Sequence, residues 1–394
     1  MSVVGSRLSA RSASVAPFHV MRILACAREM EAAGRSLVHM EVGEPDFPTA
    51  EPILEAGRRA LAEGKTHYTP ARGLPELRAA IARYYGQRFS IGVDPERILI
   101  TPGASGGLQL LLAALLDPGD GVLMADPGYP CNRHLVRLFG GVPRPVPVGP
   151  DTGYQLTAEL LETVWTPDVR LVMAASPSNP TGTLLSAEEL SRLYQAVRER
   201  GASLLVDEIY QGLIYGGPDY TALATGSEGL FVVNSFSKYF GMTGWRLGWV
   251  VAPGDCVPTL DRLAQNLYLA APTPSQHAAL AAFEPETLEI LESRRRKLKV
   301  RRDFLLPALA ELGLELEVVP RGAFYLYGRC DHLAADSSVF AEQLLEREAV
   351  AVTPGQDFGT NQPERYLRFA YTTSLTALQE GVRRIARFVG ADRG

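Results

Sequence analysis

Short apolar runs alternate with amphipathic stretches between about residue 97 and residue 285, and this alternation predicts an α/β domain with a mostly parallel sheet. The apolar runs are bounded by Gly, Pro, Asp and Ser, which is typical of buried strands. In SAEELSRLYQAVRERG, Ser186 is followed three residues later by Glu189, the spacing of a helix capping box. The predicted strands are RILI (97–100), DGVLMA (120–125), RLVMAA (170–175), SLLVD (203–207), FVVNS (231–235) and RLGWVVA (246–252).

The pattern changes after about residue 285, where a long basic helix precedes shorter segments. These segments predict a smaller α+β domain packed on the first: LELEVVP, GAFYLYG, a helix over 337–348, AVAVTPG, YLRFAYT and a closing helix. At the other end, an extended arm is expected to lead into the helix HVMRILACAREMEAAG. We therefore expect an N-terminal arm and part of the small domain at 1–45, a large domain at 46–285 and the small C-terminal domain at 286–394.

The composition is that of an ordinary globular chain: 394 residues, 46% hydrophobic, 21% charged, with a formal net charge of −5. This balance does not favour a nucleic-acid partner, and the run RRRKLKVRR is interpreted as the solvated face of a helix. The longest apolar stretches, such as LQLLLAALL, are too short to span a membrane. The four cysteines lack CxxC spacing, so we expect no metal site, no disulfides and a cytoplasmic location.

Four distinctive motifs directly follow predicted strands. In parallel sheets, ligands bind beyond the carboxyl ends of the strands, so the motifs predict a single site at one edge of the sheet. A fifth motif, TPGASGG (101–107), follows RILI and opens a helix. The four motifs are DPGYPCN (126–132), SPSNPTG (176–182), DEIYQG (207–212) and SFSK (235–238).

The glycine-rich motif predicts an anion site, because the backbone amides of Ala104 and Ser105 lie at the start of a helix. Any tight turn would use the same glycines, so the motif alone is weak evidence. The hydroxyls of Ser235 and Ser237 and the guanidinium of Arg246 strengthen it. Together these groups indicate a site for one phosphate.

Lys238 and Asp207 add what pyridoxal 5'-phosphate requires: an amine for a Schiff base and a carboxylate that keeps the pyridine nitrogen protonated. Taken singly, a surface lysine and a helix-capping aspartate are the commoner interpretations. Tyr210 and the amide of Asn179 are candidates to hydrogen-bond the ring hydroxyl. Tyr129 either stacks on the ring or is a core aromatic beside a proline turn.

From VGEPDF (42–47) to RFAYT (368–372), the chain resembles the class I/II aminotransferases of the fold type I pyridoxal phosphate family. SNPTG, DEIY and SFSKYFGMTGWRLGW carry this resemblance in combination. It implies a large cofactor-binding domain with a mostly parallel, seven-stranded sheet, beside a smaller α+β domain.

The resemblance also implies a role for each matching residue. Lys238 is the Schiff-base lysine and the base at the substrate Cα, and it acts with Asp207 and Tyr210. Arg368 takes the substrate carboxylate, which Gly43 and Asn179 also approach. The implied cofactor ligands are Ala104, Ser105, Ser235 and Arg246 at the phosphate, Asp207, Asn179 and Tyr210 at the ring, and Tyr129 stacked on it.

Tyr68 lies in THYTPARGLPELR (66–78), and read locally it is a surface aromatic before a helix that Pro75 helps to start. It matches a family tyrosine that reaches across a two-fold interface to the partner's phosphate. The resemblance therefore predicts a homodimer whose active sites are built from both chains.

The predicted reaction moves an amino group between an L-α-amino acid and a 2-oxo acid in two half-reactions. β-Lyases, decarboxylases and synthases of cyclic amino acids use the same fold and lysine, and motifs separate them poorly. A sensor domain of a transcription regulator is disfavoured, since the residues ahead of VGEPDF leave no room for a DNA-binding module.

The substrate stays open among aspartate, aromatic amino acids, alanine and glutamine. A dicarboxylate substrate needs a second cation, for which Arg22, Arg72 and Arg133 are weak candidates. Phe324 or Tyr325 is expected near the substrate side chain.

Overall fold

The computed structural model describes residues 8–17 and 19–391, so residues 1–7 of the predicted arm, residue 18 and residues 392–394 lie outside the described part. Within the arm, Ala10–Ala13 forms a short helix where an extended segment is expected. The helices are α1 (Ala10–Ala13), α2 (His19–Ala32), α3 (Glu51–Ala62), α4 (Pro75–Phe89), α5 (Gly103–Leu115), α6 (Pro130–Leu138), α7 (Ala158–Val164), α8 (Ala187–Glu199), α9 (Val257–Leu267), α10 (Thr273–Leu280), α11 (Pro285–Glu311), α12 (Ser337–Glu348) and α13 (Leu375–Ala391).

Within the described part of the chain, the strands form three sheets. Two are small, and the third has seven strands in the order β2-β8-β7-β6-β5-β3-β4. The strands are β1 (Val38–His39), β2 (Ile98–Thr101), β3 (Gly121–Asp126), β4 (Val142–Pro147), β5 (Val169–Ala175), β6 (Ser203–Asp207), β7 (Leu230–Ser235), β8 (Gly248–Val251), β9 (Tyr325–Arg329), β10 (Val350–Ala351), β11 (Thr353–Pro354) and β12 (Tyr366–Ala370).

The seven-stranded sheet is parallel except for β8, which is antiparallel to both of its neighbours. All six strands predicted from apolar runs are present, with small changes at their ends. The seventh, β4, was not predicted because its sequence, VPRPVP, has three prolines, and a proline lacks the N–H that a central strand needs. β4 is an edge strand that pairs only with β3, which is where proline is tolerated.

The carboxyl ends of the central strands bring the predicted motifs together. Ala175 at the end of β5 pairs in register with Asp207 at the end of β6, and Asp207 pairs with Val233 of β7. β7 ends at Ser235, so Lys238 follows three residues beyond the sheet edge. The helix α8 has the predicted capping box, in which Glu189 N–H and the Ser186 hydroxyl are 3.2 Å apart.

A second group of strands carries Arg368. β12 lies in the middle of an antiparallel sheet, where Arg368 pairs with Thr353 of β11 on one side and Tyr327 of β9 on the other. β1 pairs in parallel with β10, so the chain just after α2 joins this C-terminal group. LELEVVP (314–320) lies wholly within the described residues and forms no strand; Glu315 alone bridges Arg329.

The segment 40–46 runs between the two groups of strands and is hydrogen-bonded along its length. Ala370 N–H donates to the Met40 carbonyl, and Asp46 N–H donates to the Thr372 carbonyl. Between these bonds, the Thr372 hydroxyl donates to the carbonyl of Val42 at 3.0 Å. Gly43 is therefore held beside the carboxyl edge of the large sheet.

The basic helix α11 is less solvated than its sequence suggests. Arg301 is buried and makes two hydrogen bonds, of 2.7 and 2.8 Å, to the carboxylate of Asp46. Its guanidinium also lies 4.9 Å from the centre of the Phe47 ring, and Arg302 is buried against the Pro320 carbonyl. The interpretation of this run as a solvated face was wrong for these two arginines, which hold the segment around Phe47 and the turn near Pro320.

Two aromatic side chains join α4 to the large sheet. Tyr85 of α4 and Trp249 of β8 are both fully buried, and the indole Nε1–H donates to the Tyr85 hydroxyl at 3.1 Å. A buried donor without an acceptor costs about 1–3 kcal/mol. We predict that Tyr85→Phe lowers the free energy of unfolding by that amount, as measured by urea denaturation.

Tyr268→Phe is the matched control, because the Tyr268 hydroxyl is buried without a hydrogen-bond partner among the described residues. Its removal is expected to change stability little. Equal losses in the two variants would contradict the role given to the Tyr85–Trp249 bond.

Candidate active site

A cavity of about 300 Å³ lies at the carboxyl edge of the large sheet, where the C-terminal strands approach it. Every predicted site residue lines it except Ser235 and Tyr68. The predicted residues in its wall are Gly43, Ala104, Ser105, Tyr129, Asn179, Asp207, Tyr210, Ser237, Lys238, Arg246 and Arg368.

Lys238 projects into this cavity from the turn after β7. Its Nζ donates a 2.7 Å hydrogen bond to the carbonyl of Gly43. Burial lowers the pKa of Lys238 to about 8, an effect that the charges of Arg368 and Arg246 reinforce and that of Glu44 opposes. A substantial fraction of this amine is therefore neutral near pH 8, whereas a free lysine has a pKa near 10.4.

Asp207 lies at the end of β6 and is buried. One carboxylate oxygen accepts a 3.0 Å hydrogen bond from the N–H of Ile209, two residues on. Burial raises the pKa of Asp207 to about 6, while this hydrogen bond and the charge of Lys238 act in the opposite direction. A cation placed beside Asp207 would therefore favour its ionised form.

One corner of the cavity has the features of an anion site. Ala104 and Ser105 lie in the first turn of α5, where backbone N–H groups have no partner within the helix. Gly103 has φ +70°, and a Cβ there would lie 2.5 Å from Nη2 of Arg246. Glycine at 103 is thus what lets the Arg246 guanidinium approach the start of the helix.

Ser235 and Ser237 have different positions in this corner. Ser237 lines the cavity, and its N–H donates to the Ser235 hydroxyl oxygen at 3.0 Å. Ser235 lies behind it, buried, with its hydroxyl 3.1 Å from the Leu247 carbonyl. The structure therefore places Ser235 as a support for Ser237 rather than in the cavity wall.

Arg368 approaches the cavity from β12. The central carbon of its guanidinium lies over the rings of Tyr325 and Phe358, 4.4 and 4.8 Å from their centres. It donates to the side-chain oxygen of Asn179 at 3.0 Å and to the carbonyl of Glu41. Its Nε is buried and has no hydrogen-bond partner among the described residues, so a donor remains for an incoming acceptor.

The aromatic side chains surround the remaining wall. The hydroxyls of Tyr210 and Tyr325 lie 2.9 Å apart, so Tyr210 already has a partner within the chain. Burial raises the pKa of Tyr210 well above its usual value, and the same cause raises that of Tyr129. A Cβ at Gly43 would lie 2.0 Å from the Tyr325 hydroxyl, so only glycine fits at that position.

The sequence patterns did not indicate that the helix α2 lies at the site. Val20, Met21 and Leu24 of this helix line the cavity, as does Glu44. Spacing along the chain contains no signal for this, because the contacts that bring α2 to the cavity come from residues more than 300 positions away, such as Asp357. Of the two residues expected near the substrate side chain, Tyr325 lines the cavity.

Tyr68 lies away from the cavity of its own chain and is 84% exposed. The loop that carries it is held in place, since the Thr273 hydroxyl donates to the His67 carbonyl at 2.6 Å and the Gln276 side chain donates to Thr69 at 3.0 Å. The ring is thus presented to solvent on a fixed loop.

Comparison with known proteins identifies the family. The chain matches the model for aminotransferase class I and II over residues 35–385. It belongs to the class I and II aminotransferases, and the predicted transaminase function is confirmed at this level.

Individual relatives match along nearly the whole chain. A valine–pyruvate aminotransferase of Mycobacterium tuberculosis is 38% identical over 378 residues, which cover 96% of this chain and 97% of that protein. A (5-formylfuran-3-yl)methyl phosphate transaminase of Methanocaldococcus jannaschii is 37% identical over 384 residues, covering 97% and 99%. The crystal structure of an aminotransferase from Mycobacterium tuberculosis superposes with a TM-score of 0.94 at 37% identity, covering 98% of this chain and 100% of that one. The predicted fold type I architecture is confirmed.

Three further features concern disulfide bonds, membrane-spanning helices and metal sites. All four cysteines are free thiols. Within residues 8–17 and 19–391, no helix combines the length and apolar character needed to cross a membrane. The same residues contain no cluster of three or more His, Cys, Asp or Glu side chains arranged to hold a metal ion.

The lowered pKa of Lys238 predicts its reactivity in the cofactor-free protein. Acylation of Lys238 should rise with pH and level off above a midpoint near 8, because the neutral amine is the nucleophile. Competitive labelling against a lysine peptide, followed by mass spectrometry, measures this midpoint. Glu44→Gln should lower it further, since the Glu44 carboxylate stabilises the charged amine.

Labelling in urea is the control, and there the midpoint should return towards 10.4. A midpoint above 10 in the folded protein would show that burial does not set the protonation of Lys238.

Proposed function

We propose that this aminotransferase holds pyridoxal 5'-phosphate in the cavity around Lys238 and uses it to move an amino group between an L-α-amino acid and a 2-oxo acid. The proposal is supported by the convergence of a lysine of lowered pKa, a buried aspartate and a buried arginine with an unused Nε donor in one cavity. The family supports the reaction, and this geometry supports the assignment of roles to residues.

The residues present fit the cofactor at its phosphate end. The first turn of α5, with Ala104 and Ser105, supplies N–H donors, and Arg246 supplies a cation beside Gly103. Ser237 adds a hydroxyl, held from behind by Ser235. Such a combination of helix N-terminus, hydroxyl and guanidinium suits a phosphate dianion.

The residues also fit the ring end. Asp207 offers a buried carboxylate for a protonated pyridine nitrogen, whose charge would return the pKa of Asp207 towards its usual range. Tyr129 lines the cavity wall and would stack on the ring, and Asn179 and Tyr210, which line the same cavity, would hydrogen-bond the ring hydroxyl. When bound, the cofactor supplies an electron sink for the carbanion at the substrate Cα.

Residues of the chain then bind and orient the substrate and move a proton. Arg368 takes the substrate α-carboxylate. The aromatic rings beside its guanidinium, together with the hydrogen-bond acceptors of Asn179 and Glu41, orient that planar group for this contact. Lys238 removes the proton at Cα, a step that its lowered pKa favours near neutral pH. The Gly43 carbonyl holds the Lys238 amine in place between transfers.

Substitution of Lys238 tests this assignment. With a panel of amino acid donors and pyruvate or 2-oxoglutarate as acceptor, Lys238→Ala should lower turnover by roughly 10²–10⁴-fold, the usual contribution of a positioned acid–base group. Borohydride reduction and peptide mapping should find the pyridoxyl group on Lys238, one of only four lysines in the chain.

Lys299→Ala is the matched control, because Lys299 lies on α11 in a surface pair with Asp303. It should leave turnover unchanged. A pyridoxyl group on another lysine, or full turnover in Lys238→Ala, would sink the assignment.

We further propose that the protein is a homodimer with shared active sites. An open groove of about 600 Å³ adjoins Arg246 and is lined by Thr243, Trp245 and Pro272 among others. Tyr68 is exposed on a fixed loop and does not reach the cavity of its own chain. Leu267 and Leu269, also exposed, lie just before the helix that anchors this loop. These features suit a two-fold contact in which Tyr68 enters the partner's groove.

Mixed dimers test the shared site. Lys238→Ala and Tyr68→Ala chains, dissociated and reassociated together, should recover up to about a quarter of wild-type activity in a statistical mixture, since each hybrid dimer has one whole pocket. The control mixes Lys238→Ala with the double variant, where no pocket is whole and none should recover. Hybrid dimers without recovered activity, or a monomer in solution, would contradict the proposal.

We also propose where the chain divides into domains and in which compartment the protein lies. Pairing of β1 with β10 supports placing residues 1–45 with the small domain at 286–394, leaving 46–285 as the large domain. The four free thiols support a reducing, cytoplasmic compartment.

A further inference from the structure

One wall of the active-site cavity is an apolar helix face. Val20, Met21 and Leu24 of α2 line the cavity, and their spacing puts them on neighbouring positions of one side of the helix. Val20 is 9% exposed, whereas Met21 is 58% exposed, as expected of a side chain at the mouth of a cavity. No role in holding the cofactor falls to these three side chains.

Each cationic side chain in the cavity wall already has a role in the proposed function. Among the described residues that line it, the basic side chains are Lys238, Arg246 and Arg368. The proposed function uses them for the cofactor amine, the phosphate and the substrate α-carboxylate. Glu44 also lines the cavity and would repel a second carboxylate.

The three arginines that the sequence offered for a second carboxylate are engaged elsewhere. Arg22 pairs with Glu342 at 2.5 Å on the exposed side of α2. Arg72 pairs with Glu96 at 2.7 Å. Arg133 lines a smaller, adjoining cavity that shares Tyr129 and Asn179 with the Lys238 cavity, and it donates to the Asp357 carbonyl at 2.9 Å. None of the three lines the cavity that holds Lys238.

The apolar face is held at a fixed position relative to Arg368. The carboxylate of Asp357 accepts hydrogen bonds from the N–H groups of His19 and Val20, at 2.7 and 2.8 Å, and so anchors the start of α2. The next residue, Phe358, stacks on the Arg368 guanidinium. Two consecutive residues, Asp357 and Phe358, therefore fix the position of α2 in the cavity wall and orient Arg368.

We propose that Val20, Met21 and Leu24 form the side-chain site for the substrate, and that the amino acids and 2-oxo acids used are monocarboxylic with apolar side chains. This inference rests on the proposed function. Each methylene that enters such a site should raise kcat/KM by about fourfold. A second carboxylate that meets no cation of this chain in the cavity should lower it by on the order of a hundredfold.

The test is a donor series with the holoenzyme and pyruvate as acceptor. Values of kcat/KM should rise from 2-aminobutyrate through norvaline to norleucine, and aspartate and glutamate should lie about a hundredfold below norvaline. Leu24→Ala and Met21→Ala should flatten this rise. Met21→Arg should improve glutamate relative to norleucine.

Met30→Ala is the matched control, because Met30 lies on the same helix but packs against the cluster of Ile23, Ala27, Leu345 and Ala351 and does not line the cavity. It should leave the selectivity unchanged. A binding measurement adds a readout independent of turnover, since 4-methylpentanoate should bind more tightly than succinate in the wild type but not in Leu24→Ala.

The donor series distinguishes failure of the apolar side-chain site from failure of the transaminase function on which it rests. Aspartate or glutamate used as well as norvaline, or a chain-length series unaffected by both α2 substitutions, would overturn the side-chain site while leaving the transaminase intact. Absence of 2-oxo acid from every donor, with either pyruvate or 2-oxoglutarate, would overturn the proposed function and the inference with it.

Discussion

The structure depends on keeping one amine out of water without leaving it unpaired. Lys238 is partly buried at the edge of the large sheet, where a charged ammonium is costly, and this burial lowers its pKa to about 8. The Gly43 carbonyl supplies the amine with an acceptor. That carbonyl reaches Lys238 only because the segment around Gly43 is held between the large sheet and the C-terminal strands.

The same short segment links the two ends of the proposed substrate. The Glu41 carbonyl accepts a hydrogen bond from Arg368, and the Gly43 carbonyl, two residues on, accepts one from Lys238. The group proposed to bind the carboxylate and the group proposed to act at Cα are therefore both hydrogen-bonded to one piece of backbone. The Arg301–Asp46 bond fixes the end of that segment from α11. A displacement of the segment would move both groups together.

Much of the fold and site was predictable because it follows from local patterns. Buried parallel strands appear as apolar runs, and residues such as Asp207 and Lys238 directly follow those runs and meet at one edge. β4 escaped prediction because three prolines hide an edge strand. The position of α2 escaped because Asp357, whose carboxylate anchors it, is more than 300 residues away in the chain. Ser235 was expected beside the phosphate, and only the fold shows that Ser237 lies in front of it.

A single-turnover experiment shows whether the protein transfers an amino group in two half-reactions, as proposed for Lys238. Protein loaded with pyridoxal 5'-phosphate is mixed with one amino acid donor and no 2-oxo acid, and the products are counted. We expect ~1 equivalent of 2-oxo acid per chain, no ammonia, and further turnover only after a second 2-oxo acid is added. Sustained release of ammonia or carbon dioxide without an acceptor would contradict this proposal and indicate a lyase or a decarboxylase.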